Sequence, residues 1–202
     1  MQPAWFFLRR MRTRNTVSFL LALAALLGAC SAERPPWADG ALVTERIPVG
    51  GAPQRLDNLS ARILVLHNRE RQAAGVAPLA WDRALAMSAA AYGPKLARIG
   101  QLRHSPGADR PGQGENLWMG TRDAYSVEEM IGGWINEKRI FRPGLFPDDV
   151  SRSGNWSDVA HYTQMIWPAT TRIGCAVHKA GQWDYLICRY SPPGNVVGRR
   201  VP

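Results

Sequence analysis

The chain has 202 residues, 46% of them hydrophobic and 20% charged, and a formal net charge of +9. Four of those cations, Arg9, Arg10, Arg12 and Arg14, fall in a leader without a carboxylate, so the chain from Cys30 onward carries +5. So small an excess excludes any argument for nucleic acid from charge alone.

The leader comes first. Its four arginines precede an 11-residue apolar run, Val17–Leu27. A membrane-crossing helix needs roughly 20 such residues, so the run reads as the core of a signal peptide. It ends in Leu27-Gly28-Ala29-Cys30, small residues before a cysteine, which resembles a bacterial lipoprotein box. Residues 1–29 are then a lipoprotein signal peptide, starting at Met1 or at Met11, and Cys30 is the lipid attachment site. The expected location is outside the cytoplasm, membrane-anchored, with the outer membrane favoured in a Gram-negative cell because Ser31 is no retention signal. The alternative is a secreted protein cut after Ala29. About 173 residues then remain, enough for one domain around one core.

Residues 30–56 are rich in Pro, Gly and Ala without periodicity and read as a flexible tether. From Asp57, Leu59, Ile63, Leu66 and Glu70 recur at helical spacing towards Gly75, with Asp57, Asn58 or Ser60 as N-cap. A second helix spans Asp82 to Arg98, with Pro94 predicting a kink or an early end. Loop follows to Gly114, and Asn116–Gly120 reads as a short strand. Ser126-Val-Glu-Glu129 is a capping box opening a third helix to about Lys138. Phe141–Trp156 reads as loop, and a short helix near Asp158 leads into His161–Trp167, an aromatic-rich strand. Thr171–His178 and Trp183–Tyr190 read as hairpin arms about a type II′ turn at Gly181-Gln182. Cys175 and Cys188, the pair left over in an exported chain, read as a disulfide across that hairpin, the alternative being two free thiols. Residues 196–202 are a C-terminal tail, in which Arg199-Arg200 reads as frayed or as touching an anionic surface.

Several segments carry a resemblance. His161-Tyr-Thr-Gln-Met-Ile-Trp167, Ile173-Gly-Cys-Ala-Val177 and Cys188-Arg-Tyr-Ser-Pro-Pro-Gly-Asn195 occur in order, preceded by His67-Asn68, Arg71, Gly75, Leu79, Trp81-Asp82 and Leu85. The arrangement resembles the CAP superfamily of cysteine-rich secretory proteins, insect antigen 5 and plant pathogenesis-related proteins, over residues 59–195. The resemblance implies an α+β fold over 57–195, a three-layer α-β-α sandwich with a small, mostly antiparallel sheet. Ala160 and Pro168 depart from the family pattern, which usually has Gly and a basic residue there. The extra disulfides of plant and animal members are absent, as is the cysteine-rich C-terminal module of animal members, so channel or toxin functions do not carry over.

The resemblance also marks His104, Glu115, Glu137 and His161 as residues lining one cleft. Two imidazoles and two carboxylates suit Zn²⁺ or another divalent cation. His104 and His161 would be direct ligands. Glu115 and Glu137 would be further ligands, partners of the imidazole N–H, or a catalytic general base. Tyr162 and Trp167 would wall the cleft or line a groove for a small apolar, lipid or peptide ligand. Ser105 lacks a nucleophile-elbow context and is a poor candidate protease nucleophile. His67 reads as a packed core residue and His178 as an exposed hairpin residue. Three functions compete: a binding module held to the membrane by its lipid, without nucleic acid as partner; a metal-assisted, peptidase-like hydrolase; and an inert structural envelope protein. The first is the expected one, and enzyme activity is the less favoured reading.

Overall fold

The computed structural model describes residues 58–202; the leader, Cys30 and the tether to Asp57 lie outside the described residues. Helix α1, Leu59–Ala73, runs where the apolar period places it. Asn58 is its N-cap, but through the backbone, with no side-chain cap hydrogen bond. Strand β1, Ala80–Trp81, follows. Asp82 then caps α2, Arg83–Ile99, by accepting from the amides of Ala84 and Leu85. Pro94 neither ends nor shortens α2, which continues to a left-handed Gly100. Strand β2 covers Gly114–Thr121. The capping box of Ser126 and Glu129 opens α3, Val127–Asn136, and a 3₁₀ turn carries the chain on through Glu137.

Four strands form one sheet in the order β1, β4 (Arg172–Ala180), β5 (Trp183–Ser191), β2. Only β1 and β4 are parallel. Ala180 pairs with Trp183, leaving Gly181-Gln182 as the two-residue turn, with φ of 57° at Gly181 and none positive at Gln182. Type II′ requires that combination. Cys175 and Cys188 face each other in register and are joined by a disulfide, which on the chain-entropy view contributes roughly 3 kcal/mol.

Helix α2 covers one face of the sheet, with Ala89, Tyr92 and Leu96 packed on Leu117, Tyr185 and Ile187. Gly174 permits this approach, since a Cβ there would fall 2.3 Å from the Ala86 nitrogen. His178 packs here too, in contact with Gly93 of α2, so it is half-buried rather than exposed. The other face carries α1, α3 and a short helix α4, Ala160–Met165, in a larger core around Ile63, Met130, Trp134, Met165 and Ile173. The sheet lies between two helical layers, as an α+β sandwich.

Two segments correct the sequence reading. His161–Trp167 is not a strand: Ala160–Met165 is helix α4, entered from a 3₁₀ turn at Trp156–Val159. Tyr162 to Trp167 are all buried, so this short run offers no helical period to set against the strand reading. The C-terminus is not frayed. Arg200–Val201 forms β6 against β3, Gly144–Leu145, inside the segment read as loop, and Val201 is fully buried. The domain therefore includes residues 196–202.

His67 sits in the core as expected. Its Nδ1 bonds the Ile63 carbonyl at 2.9 Å, so Nδ1 carries the proton and Nε2 accepts from the Tyr190 hydroxyl at 2.9 Å. Burial above all, with the nearby Arg71 charge, brings its pKa down from 6.5 to about 4. Between those values the unfolded chain binds a proton that the folded chain refuses. Stability is therefore full above pH 6.5 and falls as pH drops towards 4, by about 3 kcal/mol in all from this residue. Urea midpoints at pH 7 and pH 4.5 should separate less in His67→Gln than in wild type; equal separations would refute this.

Candidate functional site

The four candidate residues form two pairs of the same local form. On the loop before β2, His104 Nδ1 donates to Glu115 Oε1 at 2.7 Å, and the amide of the next residue, Ser105, donates to the same oxygen at 3.0 Å. At the start of α4, His161 Nδ1 donates to Glu137 Oε1 at 2.6 Å, and the amide of the next residue, Tyr162, donates to Oε2 at 2.9 Å. In each case one carboxylate grips an imidazole and the following N–H. A carboxylate acceptor places the proton on Nδ1 and leaves the Nε2 lone pair available.

Local sequence explains the second pair. Trp134 and Glu137 are three residues apart at the end of α3, hence neighbours on one side. Trp134 stacks flat on the His161 ring, with centroids 5.7 Å apart and planes 11° from parallel, while Glu137 fixes its edge. Asn116 joins the two pairs: it follows Glu115 on β2, and its Nδ2 donates to the His161 carbonyl at 3.1 Å and to the Tyr190 hydroxyl at 3.2 Å. Gln164 is locked at the far end of α4 between Gly114 and Gly194, where it accepts from the Gly194 amide at 2.9 Å.

The pairs differ in what stands behind them. Glu115 takes two more donors, the Ser105 hydroxyl at 3.2 Å and Arg189 Nη1 at 3.0 Å. The side chains of Glu115 and Arg189 are each 1% exposed. Burial pushes the Glu115 carboxyl up, but His104, Arg189 and the Ser105 amide together hold it below its ordinary value. Burial lowers the Arg189 guanidinium in spite of Glu115. With four donors and no solvent, Glu115 is a holder of His104 and cannot activate a water. Glu137 keeps 17% exposure, so of the two catalytic candidates only it could meet one. Ser105 is buried, donating to Glu115 and accepting from Arg189, which removes it as a nucleophile.

Tyr162 is no cleft wall. It is buried, with its ring edge-on to Phe141 at 5.3 Å. Trp167 is buried as well and floors a separate groove. Sequence reasoning missed Arg189 and Asn116. Arg189 had a signal, a cation inside the apolar run of β5.

Among the described residues no three His, Cys, Asp or Glu side chains converge into a ready-made metal cage. In each pair the carboxylate on Nδ1 leaves Nε2 as the donor atom, the form in which an imidazole ligates a divalent cation.

A family profile described as CAP, the cysteine-rich secretory protein family, matches residues 64–190. The chain belongs to the CAP family. Pathogenesis-related protein 1C of Nicotiana tabacum is 35% identical over 134 residues, 66% of this chain and 74% of that protein. Pathogenesis-related protein 1A of the same plant is 33% identical over 145 residues, 71% and 81% of the two chains. Among solved structures, NaASP2 with Zn²⁺ superposes with a TM-score of 0.58 at 23% identity, covering 77% of this chain and 89% of that one. BmVAL-1 gives 0.57 at 22%, covering 77% and 86%. These structures share the CAP fold. A family of secretory proteins and a disulfide in the sheet both agree with an exported chain.

Proposed function

We propose that this CAP protein is a binding module of the cell envelope, held to a membrane by lipid on Cys30, whose paired His and Glu residues bind a divalent cation of the zinc type. The matched geometry of the pairs supports this: each carboxylate takes Nδ1–H and the following amide, which fixes the tautomer that ligates through Nε2. His104 and His161 would ligate. Glu115 and Glu137 would orient them rather than bind the ion themselves. A cation so held keeps open positions for an oxygen or nitrogen of a peptide or other ligand. Turnover is not part of the reading, since Glu115 is saturated and both oxygens of Glu137 are engaged by His161 and the Tyr162 amide.

Calorimetric titration of zinc into residues 31–202 tests it; the core, the disulfide and both pairs lie within residues 58–202, so this piece carries the folded unit. Wild type should bind at micromolar concentration or tighter. His104→Ala/His161→Ala should lose that binding, with its thermal midpoint recorded alongside. Glu137→Gln should weaken binding about 10- to 100-fold, as loss of an imidazole-orienting partner does. A folded wild type that gives no heat would end the metal reading.

A further inference from the structure

Beyond the paired residues, the strongest feature is the face built where the chain leaves β5. Pro192 and Pro193 have no N–H for a sheet ladder, so the backbone turns off the sheet and lies on Trp167. Contact is close: a Cβ on Gly194 would fall 2.8 Å from the indole. The result is a groove of about 510 Å³ with Trp167, Pro192, Pro193 and Val196 as apolar wall and Arg199 and Arg200 beside them.

Large apolar side chains are exposed on the segments that build it and on those paired or packed with them. Val197 is 75% exposed, Leu145 45%, Trp156 44% and Val196 42%. Leu145 is registered opposite Arg200, so the two share one face of the β3–β6 pair. Trp156 packs edge-on against Phe146 at 5.3 Å, and Phe146 meets Trp167 at 6.0 Å. Single exposed apolar residues are ordinary. Val196 in the groove wall, Val197 after it, Leu145 opposite Arg200 and Trp156 linked through Phe146, with two guanidiniums that pair with no carboxylate among the described residues, make a surface with a use.

We infer that this face docks on an anionic phospholipid bilayer. The guanidiniums of Arg199 and Arg200 would take lipid phosphate, for which their planar fork is suited. Val197, Leu145 and Trp156 would enter the interfacial layer, where aliphatic and indole side chains are favourable beside basic ones. A second copy of the chain fits less well, because a two-fold contact here sets arginines against arginines. The lipid anchor proposed above strengthens the case without being required by it. A segment of the length of residues 30–56 spans at most about 97 Å. A chain so tied meets its own membrane at high effective concentration, and a weak face suffices.

The test uses residues 31–202, which lack the anchor, in co-sedimentation with vesicles of phosphatidylglycerol and phosphatidylcholine against phosphatidylcholine alone. Binding should need the anionic lipid. Arg199→Ser/Arg200→Ser should lower the partition coefficient about 30-fold. Arg83→Ser/Arg98→Ser removes the same charge from α2, on the opposite helical layer, and should change it little. Trp156→Ser/Val197→Ser should weaken binding while leaving its salt dependence intact. Circular dichroism and thermal midpoints confirm that each variant is folded. Equal losses from both arginine pairs, equal binding to neutral vesicles, no vesicle binding, or capture of an acidic peptide instead of vesicles would each overturn the proposal. Zinc affinity does not enter these measurements, so the metal reading stands or falls separately.

Discussion

Replacing Arg71 by Met should lower stability by about 4 kcal/mol, a large part of what a domain of this size possesses. Arg71 is fully buried on α1. Its Nε donates to the Ala77 carbonyl at 2.6 Å, its Nη1 to those of Met165 at 3.0 Å and Trp167 at 2.9 Å, and its Nη2 to that of Thr170 at 2.9 Å. One planar side chain thus closes the turn after α1 and the exit of α4. The bonds to Met165, Trp167 and Thr170 are buried, and the one to Ala77 is partly so. Each buried acceptor stripped of its donor costs about 1–3 kcal/mol. The full sum is not reached, because the buried cation is itself unfavourable: desolvation lowers its pKa to about 10. Removing it recovers part of the loss. Lysine has no planar fork and cannot serve all four carbonyls, so Arg71→Lys should recover little. Urea unfolding at pH 7 decides the matter. A Met variant within about 1 kcal/mol of wild type would mean that water satisfies these carbonyls after all.

The same residue shows what the sequence could and could not reveal. Arg71 is part of a motif, but its partners are backbone carbonyls up to 99 positions away, and carbonyls have no sequence signature. Features whose cause is local were legible. Ser126 with Glu129 before α3 is such a feature, because cap and capped amide lie within three residues. The hairpin and its disulfide were legible because turn chemistry fixes the register that brings Cys175 to Cys188. Helix α4 was not, since six residues are too few to show a period. Nor was the pairing of β6 with β3, which depends on where the chain runs after two prolines. His104 and Glu115 are 11 residues apart, and His161 and Glu137 are 24 apart. Spacing alone therefore pairs neither set, and the family resemblance carried that part of the reading. It did not carry the placement of Tyr162 in the core or the role of Arg189.

Arg189 gives the second large effect. Glu115→Gln should destabilise the protein by about 3–5 kcal/mol at neutral pH, the usual result of removing one partner from a buried ion pair. Gln retains an acceptor oxygen for the Ser105 amide, but its NH₂ would face other donors, and the Arg189 cation would be left unpaired. The sign with pH follows from the depressed Glu115 pKa. The ionised carboxylate contributes fully above the unfolded value, 4.5. That contribution is lost as pH falls through the lower folded value, so the gap between variant and wild type should narrow in acid. A double-mutant cycle isolates the pair. Glu115→Leu/Arg189→Met should be several kcal/mol less harmful than the two single changes added together, since removing both charges avoids the orphan. Simple additivity would show that the two do not act as a pair. The cycle also separates fold from site. If Glu115 fixes the Nδ1–H tautomer of His104, every variant lacking Glu115 should bind zinc more weakly, by about 10- to 100-fold. The double variant should do so despite its recovered stability. Recovery of zinc affinity together with stability would instead assign Glu115 to the core alone and leave the cation to His161 and Glu137.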